Sequence, residues 1–113
     1  MGPQEVEAAL ADARARLLHD LVATSLDQAA SVDLLDDALH ERRGWVDHWP
    51  AGAAFLTCLV AQDLKEGLAD SRGRWPLCPV DASHELQVEP DLGDDPYWVC
   101  EECAVAVAQV GDL

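Results

Sequence analysis

Basic residues are scarce in this sequence. One lysine and six arginines face 22 acidic residues, for a formal charge of −15 with histidines neutral. A chain so poor in cations does not neutralise phosphates, so it is not a primary nucleic-acid binder. The same shortage argues against docking on anionic lipid. Long apolar runs are also missing. None approaches the roughly 20 residues that span a bilayer. The opening Met1-Gly2-Pro3-Gln4-Glu5 is not basic and no apolar segment follows, so no secretory signal is expected. There is no Gly-x-Ser-x-Gly elbow, no Gly-x4-Gly-Lys phosphate loop and no dinucleotide fingerprint. His40 precedes Glu41 without the second histidine that a zincin helix requires. The expectation is therefore a cytoplasmic, non-enzymatic protein, with a small enzyme of unknown reaction as the third-ranked alternative.

What is present is half hydrophobic, enough for a packed core within 113 residues. The first part reads as helical. Val6, Leu10, Ala13, Leu17 and Leu21 follow steps of four and three and share one helical face. Pro3 precedes them, as suits a helix start. Thr24 to Ser31 holds small and polar residues and predicts a break. Ser31 is the expected cap of a second helix with Val32, Leu35 and Leu39 inside, and Gly44 its expected stop. Pro50 suits the start of a third helix, over about Ala51–Ala69, with the stripe Leu56, Val60, Leu64 and Leu68. Helices this short need one another, or a second copy, to bury their apolar faces.

From Asp70 the pattern changes. Asp70-Ser71-Arg72-Gly73-Arg74 is a polar connector. Glu85-Leu86-Gln87-Val88-Glu89 alternates with period two, as a strand does. Tyr97-Trp98-Val99 suits a returning strand, and Ala104–Val110 a third. The fold class is α+β: a helical unit over residues 1–72, of two or three helices, packed on a β unit over residues 73–113, or both merged in one compact domain.

The chemistry concentrates in the β unit. Cys78 and His84 flank a turn that begins Cys-Pro, and Cys100 and Cys103 are separated by two residues. A hairpin between the pairs brings both turns together. Three sulfurs and one imidazole complete a tetrahedral Zn²⁺ shell with no open position, which defines a structural site. Asp81 is the alternative fourth ligand. The competing readings are a metal-free hairpin with small buried thiols, a redox pair at Cys100 and Cys103, and a rubredoxin-like iron site. Glu101 and Glu102 would raise the thiol pKa and oppose redox chemistry. Iron would want four thiolates.

With these residues in view, the stretch from Trp75 to Leu113 resembles the zinc-ribbon group: a Cys-Pro knuckle, a hairpin, a Cys-x-x-Cys knuckle and a last strand. The usual ribbon carries Cys-x-x-Cys in both knuckles, and here Asp81 stands where the second cysteine would be. The whole chain also resembles small uncharacterised actinobacterial proteins with a Trp-Pro-Leu-Cys-Pro segment, here Trp75–Pro79. The resemblance implies a metal-stabilised fold and transfers no activity.

The remaining residues carry simpler expectations. Cys58 reads as a buried helical thiol, and His19 with Asp20 as a solvated pair. His40 and His48 are expected at the surface or at helix ends. Trp45 and Trp49, four apart, can form a binding hot spot, but more simply they join Trp75 and Trp98 in bridging the two units. Asp33, Asp36, Asp37 and Glu41 form one acidic cluster. Asp91, Asp94, Asp95, Glu101 and Glu102 form another. They read either as solvated faces or as docking surface for a basic protein partner. The leading expectation is an interaction or regulatory module with structural zinc. The runner-up is an acidic inhibitor or nucleic-acid mimic. Self-association is compatible with either.

Overall fold

A computed structural model describes residues 2–113. Pro3 at the first helical position opens helix α1, Pro3–Ala23, and Glu5 lies in its first turn, where the helix dipole favours an anion. Leu10, Ala13, Leu17 and Leu21 form its buried face, and Val6 packs at its edge. Thr24 caps the end, its hydroxyl donating to the Asp20 carbonyl at 2.8 Å.

Helix α2 is Ala29–His48. It begins earlier than the Ser31 cap predicts. The Gln28 carbonyl accepts the N–H groups of Ser31 and Val32 at 3.0 and 3.1 Å, so Ser31 already lies inside the helix. Ala29 and Ala30 have the propensity to extend it backward. Ser31 is instead buried on the inner face, and its hydroxyl has no hydrogen-bond partner among the described residues. Gly44 does not stop the helix either. Burial of Val46 carries α2 through the glycine, and Pro50 supplies the stop by driving Trp49 out of the helical region, to φ −143° and ψ 77°.

Pro50–Phe55 form a 3₁₀ segment, and helix α3 follows at Leu56–Ser71. The third helix thus starts with a tighter turn than expected. The expected stripe Leu56, Val60, Leu64 and Leu68 is buried. Gly52 explains the tight turn: a Cβ there would lie 2.6 Å from Trp45 and 2.7 Å from Trp49. These two tryptophans meet edge to face at 4.8 Å, and Arg42 lies 5.3 Å from the centre of the Trp45 ring. They close the α2–α3 corner. The bridge between helices and β unit comes from Trp75 and Trp98, which donate their indole N–H groups to Thr24 Oγ1 at 2.9 Å and to Asp20 Oδ2 at 2.8 Å.

Ion pairs tie the helices together. Arg42 grips Asp63 through two hydrogen bonds of 2.7 and 2.9 Å, joining α2 to α3. Arg14 with Asp36, and Arg43 with Glu7, join α1 to α2. No helix among the described residues is long and apolar enough to cross a membrane.

Three strands follow: β1, Gln87–Glu89; β2, Tyr97–Cys100; and β3, Val105–Gln109. They form an antiparallel sheet in the order β1-β2-β3. Val88 pairs with Trp98 and Trp98 with Ala108; Val99 then pairs with Ala106, which leaves Val107 as a bulge. Period-two alternation turns Trp98 and Cys100 inward together. Leu86, Val88, Trp98 and Val110 join Leu17, Leu21, Leu64 and Leu68 in one core that runs through helices and sheet. The α+β architecture is as expected, with three helices and a third strand.

Two polar side chains fasten the sheet to the helices. Asp20 is fully buried, contrary to a solvated pair with His19. Its carboxylate accepts Trp98 Nε1–H at 2.8 Å and the N–H groups of Gly111 and Leu113 at 2.7 and 3.0 Å. Lys65 of α3 donates to the Leu86 carbonyl and to Gln87 Oε1, and lies 3.7 Å from Glu85. Burial lowers its pKa, and the nearby Glu85 charge opposes that shift.

Candidate metal centre

Two turns build the site. The first runs from Trp75 to Glu85. Leu77 bridges to Glu85, and inside that bridge the Cys78 N–H donates to the His84 carbonyl at 2.9 Å. Asp81 nucleates the tip. Its Oδ1 accepts the Ser83 hydroxyl at 2.7 Å and the Ser83 N–H at 3.0 Å, the side-chain turn that aspartate favours. These two bonds, the hydroxyl first, hold the Asp81 carboxyl below its ordinary pKa.

The second turn leaves β2 at Cys100 and enters β3 at Val105. The Cys103 N–H points at Cys100 Sγ, 3.4 Å away, and the Ala104 N–H returns to the Glu101 carbonyl at 3.2 Å. Ala104 takes φ +55° to close the loop. Both turns lie against the core: Cys78 and Cys100 are buried and Cys103 is partly exposed.

The side chains converge. Cys78 Sγ lies 4.0 Å from Cys103 Sγ, and His84 Nδ1 lies 3.6 Å from both Cys100 Sγ and Cys103 Sγ. The sulfurs of Cys78, Cys100 and Cys103 all lie within 4.8 Å of one another, a metal-binding geometry. Asp81 is placed differently. Its other oxygen, Oδ2, faces the far ring nitrogen of His84, Nε2, at 3.6 Å. The expected residues Cys78, His84, Cys100 and Cys103 are thus brought together, and Asp81 stands behind the histidine.

The thiols differ in electrostatics. The Asp81 N–H, and behind it that of Val80, lower the Cys78 pKa against the opposing effect of burial. Cys103 is pushed up to about 12, chiefly by the Cys100 sulfur, then by burial and the Cys78 sulfur. Three crowded sulfurs cannot all carry charge unless a cation sits among them, and a divalent ion reverses that balance.

In the sequence Glu102 reads as part of an acidic cluster and as a charge beside the thiols, and not as a ligand. In the fold its Oε2 lies 3.9 Å from Cys100 Sγ, and with His84 and Cys100 it forms a second group of donors within 4.8 Å. Its position inside Cys-x-x-Cys, shared with Glu101, is the signal that separates these two from the other acids. Cys58 is buried as expected and also makes polar contacts. Its thiol donates toward the Pro90 and Asp91 carbonyls at 3.2 and 3.1 Å, pinning the β1–β2 loop to α3. His40 and His48 are exposed, as expected.

Residues 6–110 match the family described as Domain of unknown function (DUF8819), and the chain belongs to that family. No curated protein and no solved structure matches it.

Proposed function

We propose that this protein is a non-enzymatic interaction or regulatory module whose C-terminal unit is held by a structural zinc ion in a zinc-ribbon-like arrangement. The ligands are Cys78, Cys100, Cys103 and the Nδ1 of His84. One observation carries the reading: the spacing of the donors. Zinc–sulfur bonds of about 2.3 Å and zinc–nitrogen bonds of about 2.0 Å set the edges of a tetrahedral shell at about 3.8 Å between sulfurs and about 3.5 Å between sulfur and nitrogen. Three of the six edges, at 4.0, 3.6 and 3.6 Å, lie close to those lengths, and the three sulfurs stay within 4.8 Å of one another. Four protein donors leave no open position, which suits structure rather than catalysis. Asp81, its carboxylate 3.6 Å from His84 Nε2, stands on the outer side of the imidazole, where a carboxylate can favour a ligating histidine. Thiols kept for a metal suit the reducing cytoplasm.

The test is elemental analysis of the purified full chain, with cobalt substitution as a second readout. The expected result is about one zinc per chain and a cobalt spectrum with tetrahedral d–d bands and strong sulfur charge transfer. A folded protein that takes up neither metal overturns the reading.

The partner expected for this module is a basic protein. Between α2 and α3 runs a groove of about 280 Å³ lined by Asp37, Glu41, Asp63, Glu66 and Asp70 over Leu34 and Gly67. Arg42 pairs with Asp63 there. This groove also favours the second reading, an acidic inhibitor or nucleic-acid mimic that occupies a basic cleft. Capture of a basic partner should weaken steeply as salt rises. Capture that ignores salt speaks against charge-driven docking in either form.

A further inference from the structure

The donors at the centre form two overlapping sets. Cys78, Cys100 and Cys103 are one; His84, Cys100 and Glu102 are the other. Cys100 belongs to both. Its sulfur is buried, receives the Cys103 N–H, and lies 3.6 Å from His84 Nδ1 and 3.9 Å from Glu102 Oε2. Cys78 and Cys103 belong only to the first set. Their sulfurs face each other at 4.0 Å, and Cys103 is the partly exposed one, within reach of a small solute. Removing that pair leaves a histidine, a cysteine and a carboxylate still gathered around one point.

We propose, resting on the zinc reading above, that Cys78 and Cys103 are the oxidisable half of the centre: a peroxide joins them as a disulfide, and Glu102 then completes a three-donor cation site with His84 and Cys100. The Cys103 thiolate attacks one peroxide oxygen. The O–O bond breaks, hydroxide leaves, and Cys103 becomes a sulfenic acid. The Cys78 thiolate attacks that sulfur; the S–S bond forms, the S–O bond breaks, and a second hydroxide leaves. Two protons from solvent convert the hydroxides to water. The two sulfurs give up two electrons and the peroxide takes them. Two thiolates, one peroxide and two protons become one disulfide and two waters. The closed shell is replaced by three donors with one position open, and the cation is held less tightly because two thiolates have gone.

The experiment treats the full chain, loaded with zinc, with one equivalent of hydrogen peroxide. Disulfides are mapped by peptide mass spectrometry, and zinc transfer to a chromogenic chelator is followed. The expected product links Cys78 to Cys103. Zinc should then leave Glu102→Gln at least about tenfold faster than wild type, since losing even an outer carboxylate costs affinity on that scale, while the reduced proteins release it at equal rates. A Cys100–Cys103 disulfide, oxidation with no disulfide, or equal zinc loss from oxidised wild type and Glu102→Gln overturns the inference. A chain that takes up no zinc sinks the zinc reading and, with it, the Glu102 site. Mapping the metal-free chain keeps the sulfur pairing testable, and a Cys100–Cys103 bond there overturns it.

Discussion

Asp20 shows what a single side chain contributes. It offers two oxygens to three donors, two of them from the far end of the chain, in a fully buried place. Asp20→Asn replaces one acceptor by a donor and removes the charge that strengthens all three bonds. It should cost about 2–3 kcal/mol in urea unfolding, since a bond to a charged group contributes about 1.5–3 kcal/mol and an orphaned buried donor costs about as much. Ser31 is the opposite case. Its buried hydroxyl satisfies nothing among the described residues, so Ser31→Ala should raise stability by about 1 kcal/mol in the same assay. Cys103 gives a third outcome. Crowded by the Cys100 sulfur and by burial, its thiol is pushed up to about 12 and should hold its proton at pH 7; on the zinc reading, the incoming ion would displace it. Zinc binding should therefore release protons, Cys103 supplying close to one of them, and apparent affinity should rise with pH. Calorimetry in buffers of different ionisation enthalpy reads this directly. The clustered thiols are legible from spacing because Cys-x-x-Cys and Cys-Pro are local patterns. Asp20 is harder to see because its charge suggests solvent, yet it falls three residues after Leu17 and seven after Ala13, on the buried face.

At the scale of elements, periodicity exposes the buried stripes of all three helices and the alternation of β1 and β2. The ends are less legible. Ser31 and Gly44 have the right chemistry for a cap and a stop, and packing overrides both. Gly44 offers a discriminating change. It lies inside the helix, and a methyl group added there would meet no atom within 4 Å beyond its own stretch of helix, so Gly44→Ala should stabilise the protein by about 1 kcal/mol. Were it a left-handed stop, the same change would destabilise. Thermal melts of the two proteins decide. The 3₁₀ turn before α3 is hidden for another reason: it depends on Gly52 accepting two tryptophan rings, a contact that no local pattern announces.

For the molecule as a whole, the shared core has a consequence for the proposed metal. Trp98 and Leu86 pack in the same cluster as Leu17 and Leu64, and Asp20 ties the chain's end to α1. If zinc is bound as proposed, removing it with a chelator should therefore lower the melting temperature of helices and sheet together. Far-ultraviolet dichroism and tryptophan fluorescence should trace one coincident transition; a helical signal that stays put while fluorescence shifts would show that the units melt apart. A last consequence concerns the sole lysine. Its amine is sheltered, with the side chain 11% exposed, and already engaged between α3 and the sheet. Acylating reagents should reach that nitrogen more slowly than an exposed amine, and faster when the helix lifts from the strand. The rate at which Lys65 is tagged is thus a built-in clock for local opening of this seam.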